Sequence, residues 1–417
     1  MLTRYTRQWD HKRIGINVTN TRIHPIESDH DLSLDTTTSP EALYIHIPFC
    51  FHKCHYCDFY SLADQASNSR HSVFIDKLID EMRYWANRMT LQPETIFIGG
   101  GTPTMLSVAI WQKMGQALQD IGALENVEEF TVEANPETVS TQIIHAIVEA
   151  GANRISIGSQ SFQLPLLRTL ERHHEPSNVK ASMDIVRHEG IDNINLDMIF
   201  AIPGQTMVTL ETDLETAISL EPTHLSYYGL TYEPNTALTE RRRNGAIDPI
   251  DDETERNMYK WIMDRMSTTA FEHYEVSSWA APNHSGDHPY QCRHNLMYWT
   301  NRTWLGLGPS AASHLNGQRW KNVPHLGQYL RNEPAALKVD YEAFDQDRCI
   351  GEQLMMTLRL RKGINLEWIQ SQVPVGTKRR QMIDELVSQN LLATTNTHLR
   401  LTPQGLFLAD SVIGELL

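Results

Sequence analysis

From residue 42 to about 233 the chain alternates between short apolar runs and longer stretches with helical spacing. Runs with strand character occupy 42–49, 95–99 (TIFIG), 129–134 (EFTVEA), 154–158 (RISIG), 194–200 (INLDMIF) and 224–232 (HLSYYGLTY). Between the first two, HSVFIDKLIDEMRYWANRM places Ile75, Leu78, Ile79, Met82 and Trp85 on one helical face. Comparable helices fit 107–122, 138–149, 176–189 and 207–220. A helix between successive strands is long enough to return the chain to the same edge, so the strands run parallel. The pattern predicts an α/β fold of six strand–helix units in a parallel sheet, curled or doubly wound. In such sheets functional groups gather at the carboxyl ends of the strands.

The remainder is less regular. Residues 234–270 open with a turn and continue as a charged amphipathic helix, in which Arg241–Arg243 reads as a solvated helix end. FEHYEVSSWA is a strand candidate, WLGLGPSAASHL (304–315) a glycine-rich connection, and 333–347 a linker. From about 348 a helical pattern is followed by TTNTHLRLTPQGLFLADSVIGEL, which suggests helices plus a small β-wing. The expected division is therefore 41–332 for the sheet and the region after it, and 348–417 for a small helical or winged C-terminal domain. Residues 1–40 lack sustained periodicity and are rich in Thr, Asp and Asn; they read as a disordered extension. Their first residues are basic and hydroxyl-rich, as in a transit peptide, but an internal Asp and the lack of an amphipathic face count against one.

Charge and cysteine usage narrow the class. Lys+Arg 36 against Asp+Glu 51 leaves −15, with no strong basic block, which argues against nucleic acid as a partner even for a winged domain. No apolar run is long enough to serve as a transmembrane segment. Five cysteines, three of them clustered, do not form a disulfide framework; they fit a reducing, cytoplasmic setting.

The clustered three, Cys50, Cys54 and Cys57, form C-x3-C-x2-C directly after the first strand. Cubane iron–sulfur clusters normally take four cysteines, so a three-cysteine cube leaves one iron open to a ligand that is not protein. The same cysteines also suit a structural zinc site completed by His52 or His55, or plain buried thiols. Polar motifs follow at the ends of the later strands. Gly99-Gly100-Gly101-Thr102-Pro103-Thr104 lets the backbone approach a ligand closely. Glu133, before Asn135-Pro136, is placed either to bind an ammonium or hydroxyl or to cap the next helix. Gly158-Ser159-Gln160-Ser161-Phe162 is followed by Glu171-Arg172-His173, and Asp197 lies in the apolar run NLDMIFAIPGQT. An aspartate there is costly unless paired or liganded, and Arg172 is a candidate partner. Further on, His294-Asn295-Leu296-Met297-Tyr298-Trp299 places His294 and Tyr298 on one helix face, suited to packing or to a ligand.

The ordered set C-x3-C-x2-C, GGGTPT, E-x-NP, GSQSF, ER and NLDMIFAIPGQT resembles the radical S-adenosylmethionine (radical SAM) superfamily. Within it, the set is similar to the branch holding the oxygen-independent coproporphyrinogen III oxidases (HemN) and the related haem chaperones (HemW). The resemblance runs from about Tyr44 to the C-terminus. It implies a partial (β/α)6 TIM-like barrel and a [4Fe–4S] cluster on Cys50, Cys54 and Cys57, with SAM on the open iron. Tyr44, Tyr56, Gly100, Gly101, Thr102 and Glu133 match SAM-site positions. Gln160, Arg172 and Asp197 match those that contact a second SAM in the oxidase. The chaperones also carry HN-x-x-YW, associated there with haem, which makes His294 and Tyr298 haem-site candidates, with Cys292 and Met297 as alternative soft ligands.

One departure separates the two functions. The oxidase carries a further cysteine two residues after the third cluster cysteine, where this chain has Phe59. The resemblance therefore points to a haem chaperone delivering haem to acceptor apo-haemoproteins, membrane respiratory enzymes among the candidates, with a reductant for the cluster. The oxidase, decarboxylating coproporphyrinogen III, is the alternative.

Overall fold

A computed structural model describes residues 39–66, 68–282 and 290–417. The extension expected over residues 1–40 falls, but for its last two residues, outside them. The contacts gather into two compact units. One holds the described residues up to Met258 together with Thr303–Glu342; the other holds Tyr259–Arg302 and Ala343–Leu417.

In the first unit every expected strand forms. In chain order these are β1 (Ala42–Ile47), the short β2 (Phe49–Cys50) and β3 (Leu62–Ala63), β4 (Thr95–Gly100) and β5 (Glu129–Ala134). They continue with β6 (Arg154–Gln160), β7 (Asn193–Phe200) and β8 (His224–Gly229). β1 and β4 to β8 pair in chain order, every pair parallel. The crossovers are α1 (Ser69–Ala86), α2 (Val108–Asp120), α3 (Thr141–Glu149), α4 (Pro176–His188) and α5 (Met207–Ser219). Both faces of these strands are buried, which is why they read as nearly unbroken apolar runs. Side chains of Asn68, Ser140 and Thr206 accept first-turn amides and so set where α1, α3 and α5 begin.

The glycine-rich stretch after 303 is not a mere connection. Trp304–Leu307 forms β9, parallel to β1 on the side away from β4. β10 (Ala312–Leu315) and β11 (Gln318–Asn322) come next as antiparallel neighbours, and β12 (Lys338–Ala343), in the expected linker, lies beside β11. Gly306 sits so close to the Ala312 carbonyl that a Cβ has no room, so the glycine marks close backbone approach within a strand rather than a turn.

The five apolar residues predicted for the inner face of α1 are all buried, and Glu81 lies among them, 1% exposed. Its carboxylate accepts the Gly308 amide at 2.9 Å, the Asn322 side-chain amide at 2.6 Å and the Tyr329 hydroxyl at 2.6 Å. Burial pushes its pKa up, while these donors favour the charged form. Glu81 thus pins α1 to the segments after β9 and β11. Removing the acceptor leaves buried donors unmet, each costing about 1–3 kcal/mol.

The second unit contains the hairpin Glu272–Glu275 and Ser278–Ala280, and the helices Arg293–Trp299 and Gln346–Thr357. Its C-terminal part carries helices Leu366–Gln372 and Lys378–Ser388 and a three-stranded antiparallel sheet of Ile364–Asn365, His398–Leu401 and Leu392–Thr394. This is the helical domain with a β-wing that the sequence suggests. The basic start of helix Lys378–Ser388 is engaged within the unit: Arg379 bonds Asp347 and the Leu416 carbonyl, and Arg380 bonds Asp384.

Glu81→Ala is expected to lower stability by about 3 kcal/mol or more, seen as a lower urea midpoint without a change in slope. An unchanged midpoint would show that Glu81 contributes nothing net.

Candidate functional site

The polar motifs meet at the carboxyl ends of the parallel strands. β2, which carries Cys50 at its end, pairs with β3 on the far side of the cysteine loop. The Leu62 amide donates to the Pro48 carbonyl at 2.7 Å, and the Asp64 amide to the Cys50 carbonyl at 2.8 Å. The loop is thus closed at its base by two short parallel strands, and a turn from the Cys57 amide to the Cys54 carbonyl shapes its tip. All three cysteines are free thiols at intermediate exposure.

The Gly99–Thr102 turn is fastened beneath this loop. The Gly101 amide donates to the Ile47 carbonyl and the Thr102 amide to the Phe49 carbonyl, both at 2.7 Å. Gly101 is glycine because a Cβ would strike those carbonyls, and Gly100, at φ +100°, presses against the His46 ring. The Thr102 hydroxyl lies 3.5 Å from the Cys50 sulfur. Burial raises the Cys50 pKa, and the Thr102 contact works against that rise.

Tyr44 faces His46: its hydroxyl is 2.9 Å from Nδ1, while His46 Nε2 is 2.8 Å from the Tyr60 carbonyl. A carbonyl only accepts, so Nε2 carries the proton, and Nδ1 accepts from Tyr44. Burial lowers the His46 pKa to about 4, which keeps the ring neutral at physiological pH. Glu133 does not cap the turn after it. It reaches to the neighbouring strand and accepts the Gly100 amide at 3.0 Å.

At the end of β6 the pairing with β7 is irregular, and Gln160 adopts a left-handed backbone, φ +63°. Arg172, half-buried, donates to the Gly158 carbonyl and lies 3.6 Å from the Cys54 sulfur. Burial opposes its charge, but Cys54, Tyr56 and Glu137 more than offset that and raise its pKa. Asp197 does not pair with Arg172. Its carboxylate accepts from Ser156 at 2.7 Å and Asn195 at 3.0 Å, and Asn195 is held in turn by His224 at 2.6 Å. Tyr56 is 8% exposed and packs among Leu166, Leu170, Ile199, Ile202, Leu230 and Leu238, with Cys54 against the same cluster. Its ring is engaged in packing behind the cysteine loop rather than presented as an open surface.

Sequence reading missed two groups that hold the loop. The Arg241 guanidinium, in a run whose sequence reads as a solvated helix end, reaches the Thr169 carbonyl at 3.1 Å and His55 Nδ1 at 3.2 Å. The His55 backbone adds bonds to Leu170 and Leu238. The second group is His46 with Tyr60. Neither has a spacing signal, because the partners are distant in sequence.

His294 and Tyr298 share a helix face as expected, with ring centres 4.9 Å apart in a T-shape. Both are buried, and His294 Nε2 bonds the Tyr298 hydroxyl at 2.9 Å. In this conformation the imidazole nitrogen is engaged by tyrosine and not turned outward.

The donor set tests what this site suits. Three thiols on a braced loop lie beside a hydroxyl 3.5 Å from the Cys50 sulfur and a guanidinium 3.6 Å from the Cys54 sulfur. A glycine turn with its carboxylate lies next to them. That arrangement fits a cluster with one iron left open to a small ligand.

Comparison with known proteins agrees. Residues 44–217 match the Radical SAM superfamily, and 344–408 the HemN C-terminal domain. The chain is 32% identical over 380 residues to heme chaperone HemW of Lactococcus lactis subsp. lactis, covering 91% of this chain and 97% of that protein. The chain belongs to the HemW family. HemW of Bacillus subtilis is 32% identical over 90% of this chain and 99% of its own length, and HemW of Escherichia coli 31% over 90% and 97%. Among solved structures, coproporphyrinogen III oxidase (HemN) from Escherichia coli aligns with TM-score 0.75 and 20% identity, covering 91% of this chain and 90% of that one. That match confirms the HemW-family chain as a radical SAM fold. Membership in the radical SAM superfamily implies a [4Fe–4S] cluster and SAM.

Serine at Cys50, Cys54 or Cys57 is expected to abolish cluster assembly on anaerobic reconstitution, read by iron content and the visible spectrum, while Cys349→Ser leaves it intact. Iron retained at full level in any of the three would remove that residue from the ligand set. Glu133→Ala is expected to weaken SAM binding by roughly 1.5–3 kcal/mol, the cost of a lost charged hydrogen-bond partner. Calorimetry on the cluster-loaded protein checks it, and unchanged affinity would leave Glu133 only its bond to the glycine turn.

Proposed function

We propose that this chain binds haem and transfers it to acceptor apo-haemoproteins, on a core in which Cys50, Cys54 and Cys57 hold a [4Fe–4S] cluster. The observation that carries this reading is end-to-end similarity to proteins named heme chaperone HemW, in several bacteria. Phe59, standing where the oxidase has a cysteine, supports it against porphyrinogen decarboxylation. When bound, such a cluster supplies a single electron to SAM.

The residues divide the work. Gly100, Gly101 and Thr102 offer backbone groups and Tyr44 a hydroxyl to SAM, and Glu133 keeps the glycine turn in place. Tyr56 backs the cysteine loop. Gln160 ends β6, Arg172 lies in the segment after it and Asp197 lies within β7; with Arg172 turned to Cys54 and Asp197 held by Ser156 and Asn195, we assign them to shaping the site rather than to a second SAM. His294 is the haem-ligand candidate, and it must exchange its Tyr298 bond for iron. The acceptors, membrane respiratory enzymes among them, the reductant and a cytoplasmic setting belong to the same proposal.

Haem-loaded protein is expected to reconstitute an apo-haemoprotein faster than free haem does. Steady decarboxylation of coproporphyrinogen III with SAM cleavage would overturn the proposal in favour of the oxidase. For the ligand, Tyr298→Phe frees His294 Nε2 from a bond worth about 1 kcal/mol. That variant is expected to bind haem about fivefold more tightly, and His294→Ala to lose the Soret shift. A Soret titration that both variants leave unchanged would exclude His294 as the ligand.

A further inference from the structure

His52 lies between Cys50 and Cys54 in the cysteine loop, and Glu171 and His173 lie in the segment after β6. The fold brings these three together. One donor atom from each lies within 4.8 Å of the other two. The His52 and His173 ring centres are 4.4 Å apart at 63°, and His173 Nε2 is 3.8 Å from a Glu171 carboxylate oxygen. Glu171 adopts a left-handed backbone, φ +56°, which sets where its carboxylate points. Phe51, His52, Glu137 and His173 line an open cavity of about 460 Å³.

An ordinary surface ion pair accounts for part of this, since His173 is exposed and Glu171 half-exposed. It does not account for His52. Its Nε2 is buried and has no hydrogen-bond partner among the described residues. A buried ring nitrogen left unmet is costly, and proteins ordinarily satisfy such atoms. Two imidazoles and a carboxylate with donor atoms this close together are a donor set that divalent first-row transition ions accept. The same pair does not suit haem iron. Trans ligands to haem lie about 2 Å from the metal on opposite faces, and rings this close leave no room for a porphyrin between them.

We propose that His52, Glu171 and His173 form a binding site for a divalent first-row transition ion, separate from the cluster ligands, with its open positions facing the cavity lined by Phe51 and Glu137. The ion ties the cysteine loop to the segment after β6. This inference needs neither haem transfer nor SAM cleavage.

The test uses zinc(II) on the full-length, cluster-loaded protein, so that the cysteines are already occupied. After anaerobic dialysis against zinc, wild type is expected to retain a stoichiometric zinc ion beyond the cluster iron. Zinc X-ray absorption should show only nitrogen and oxygen neighbours, with the outer-shell pattern of histidine. Glu171→Gln and His173→Ala, both outside the cysteine loop, are expected to keep the cluster iron and bind zinc roughly tenfold more weakly or worse, at least the loss that removing an outer-shell partner causes. Three results would overturn the site: no zinc retained by the wild type, zinc affinity unchanged in both variants, or a Zn–S shell near ~2.3 Å.

Discussion

A cation placed under a loop of thiols is the interaction around which the rest of this site is arranged. Arg172 is half-buried beside the Cys54 sulfur, with its other arm on the Gly158 carbonyl. Withdrawing a guanidinium from water is unfavourable unless negative charge compensates it, and thiolates are the nearest source. The segment after β6 and the cysteine loop are therefore coupled through this contact before any metal is considered. That coupling explains why the chain spends a buried tyrosine, Tyr56, and an apolar cluster on holding the loop against the same strand ends.

The opposite side of the loop is governed by neutrality. His46 is buried with one nitrogen on a carbonyl and the other on the Tyr44 hydroxyl, so it acts as a fixed spacer and carries no charge. Gly100 lies against its ring, and Glu133 takes the Gly100 amide. The glycine turn is therefore clamped between a neutral imidazole and a carboxylate, which leaves its remaining backbone groups preorganised for a ligand. A side chain at Gly100 or Gly101 would collide with the pieces that do the clamping.

Much of this was legible in the sequence, and the boundary between what was and was not has a physical origin. Strands buried on both faces and helices with one apolar face advertise themselves through local periodicity, so six strands and five crossovers lie within a few residues of their expected places. The cysteine spacing, the glycine turn and Glu133 were readable because each is local and chemically unusual. β9 was not: its Gly306 resembles a turn residue, and only the Ala312 carbonyl packed against it reveals a strand. Arg241, Glu81 and the Asp197 network were hidden for a related reason. Their partners come from other strands and loops, and no spacing rule links Arg241 to His55 or Glu81 to Tyr329.

His294 shows the limit from the other direction. A histidine and a tyrosine four residues apart in a helix meet, as expected, but meeting is what withdraws them, since the hydroxyl occupies the nitrogen that a metal would use. Coordination of an external iron there must exceed the value of that hydrogen bond and of burying both rings. The bond then acts as a threshold: a ligand that binds strongly displaces it, and a weak one does not. For a protein that takes up a cargo and later gives it away, such a competitor has a use. On the proposed assignment of His294 to haem, the tyrosine would reclaim the histidine, lowering net affinity and favouring release, whereas a permanently exposed imidazole would hold its cargo more tightly and part with it more slowly.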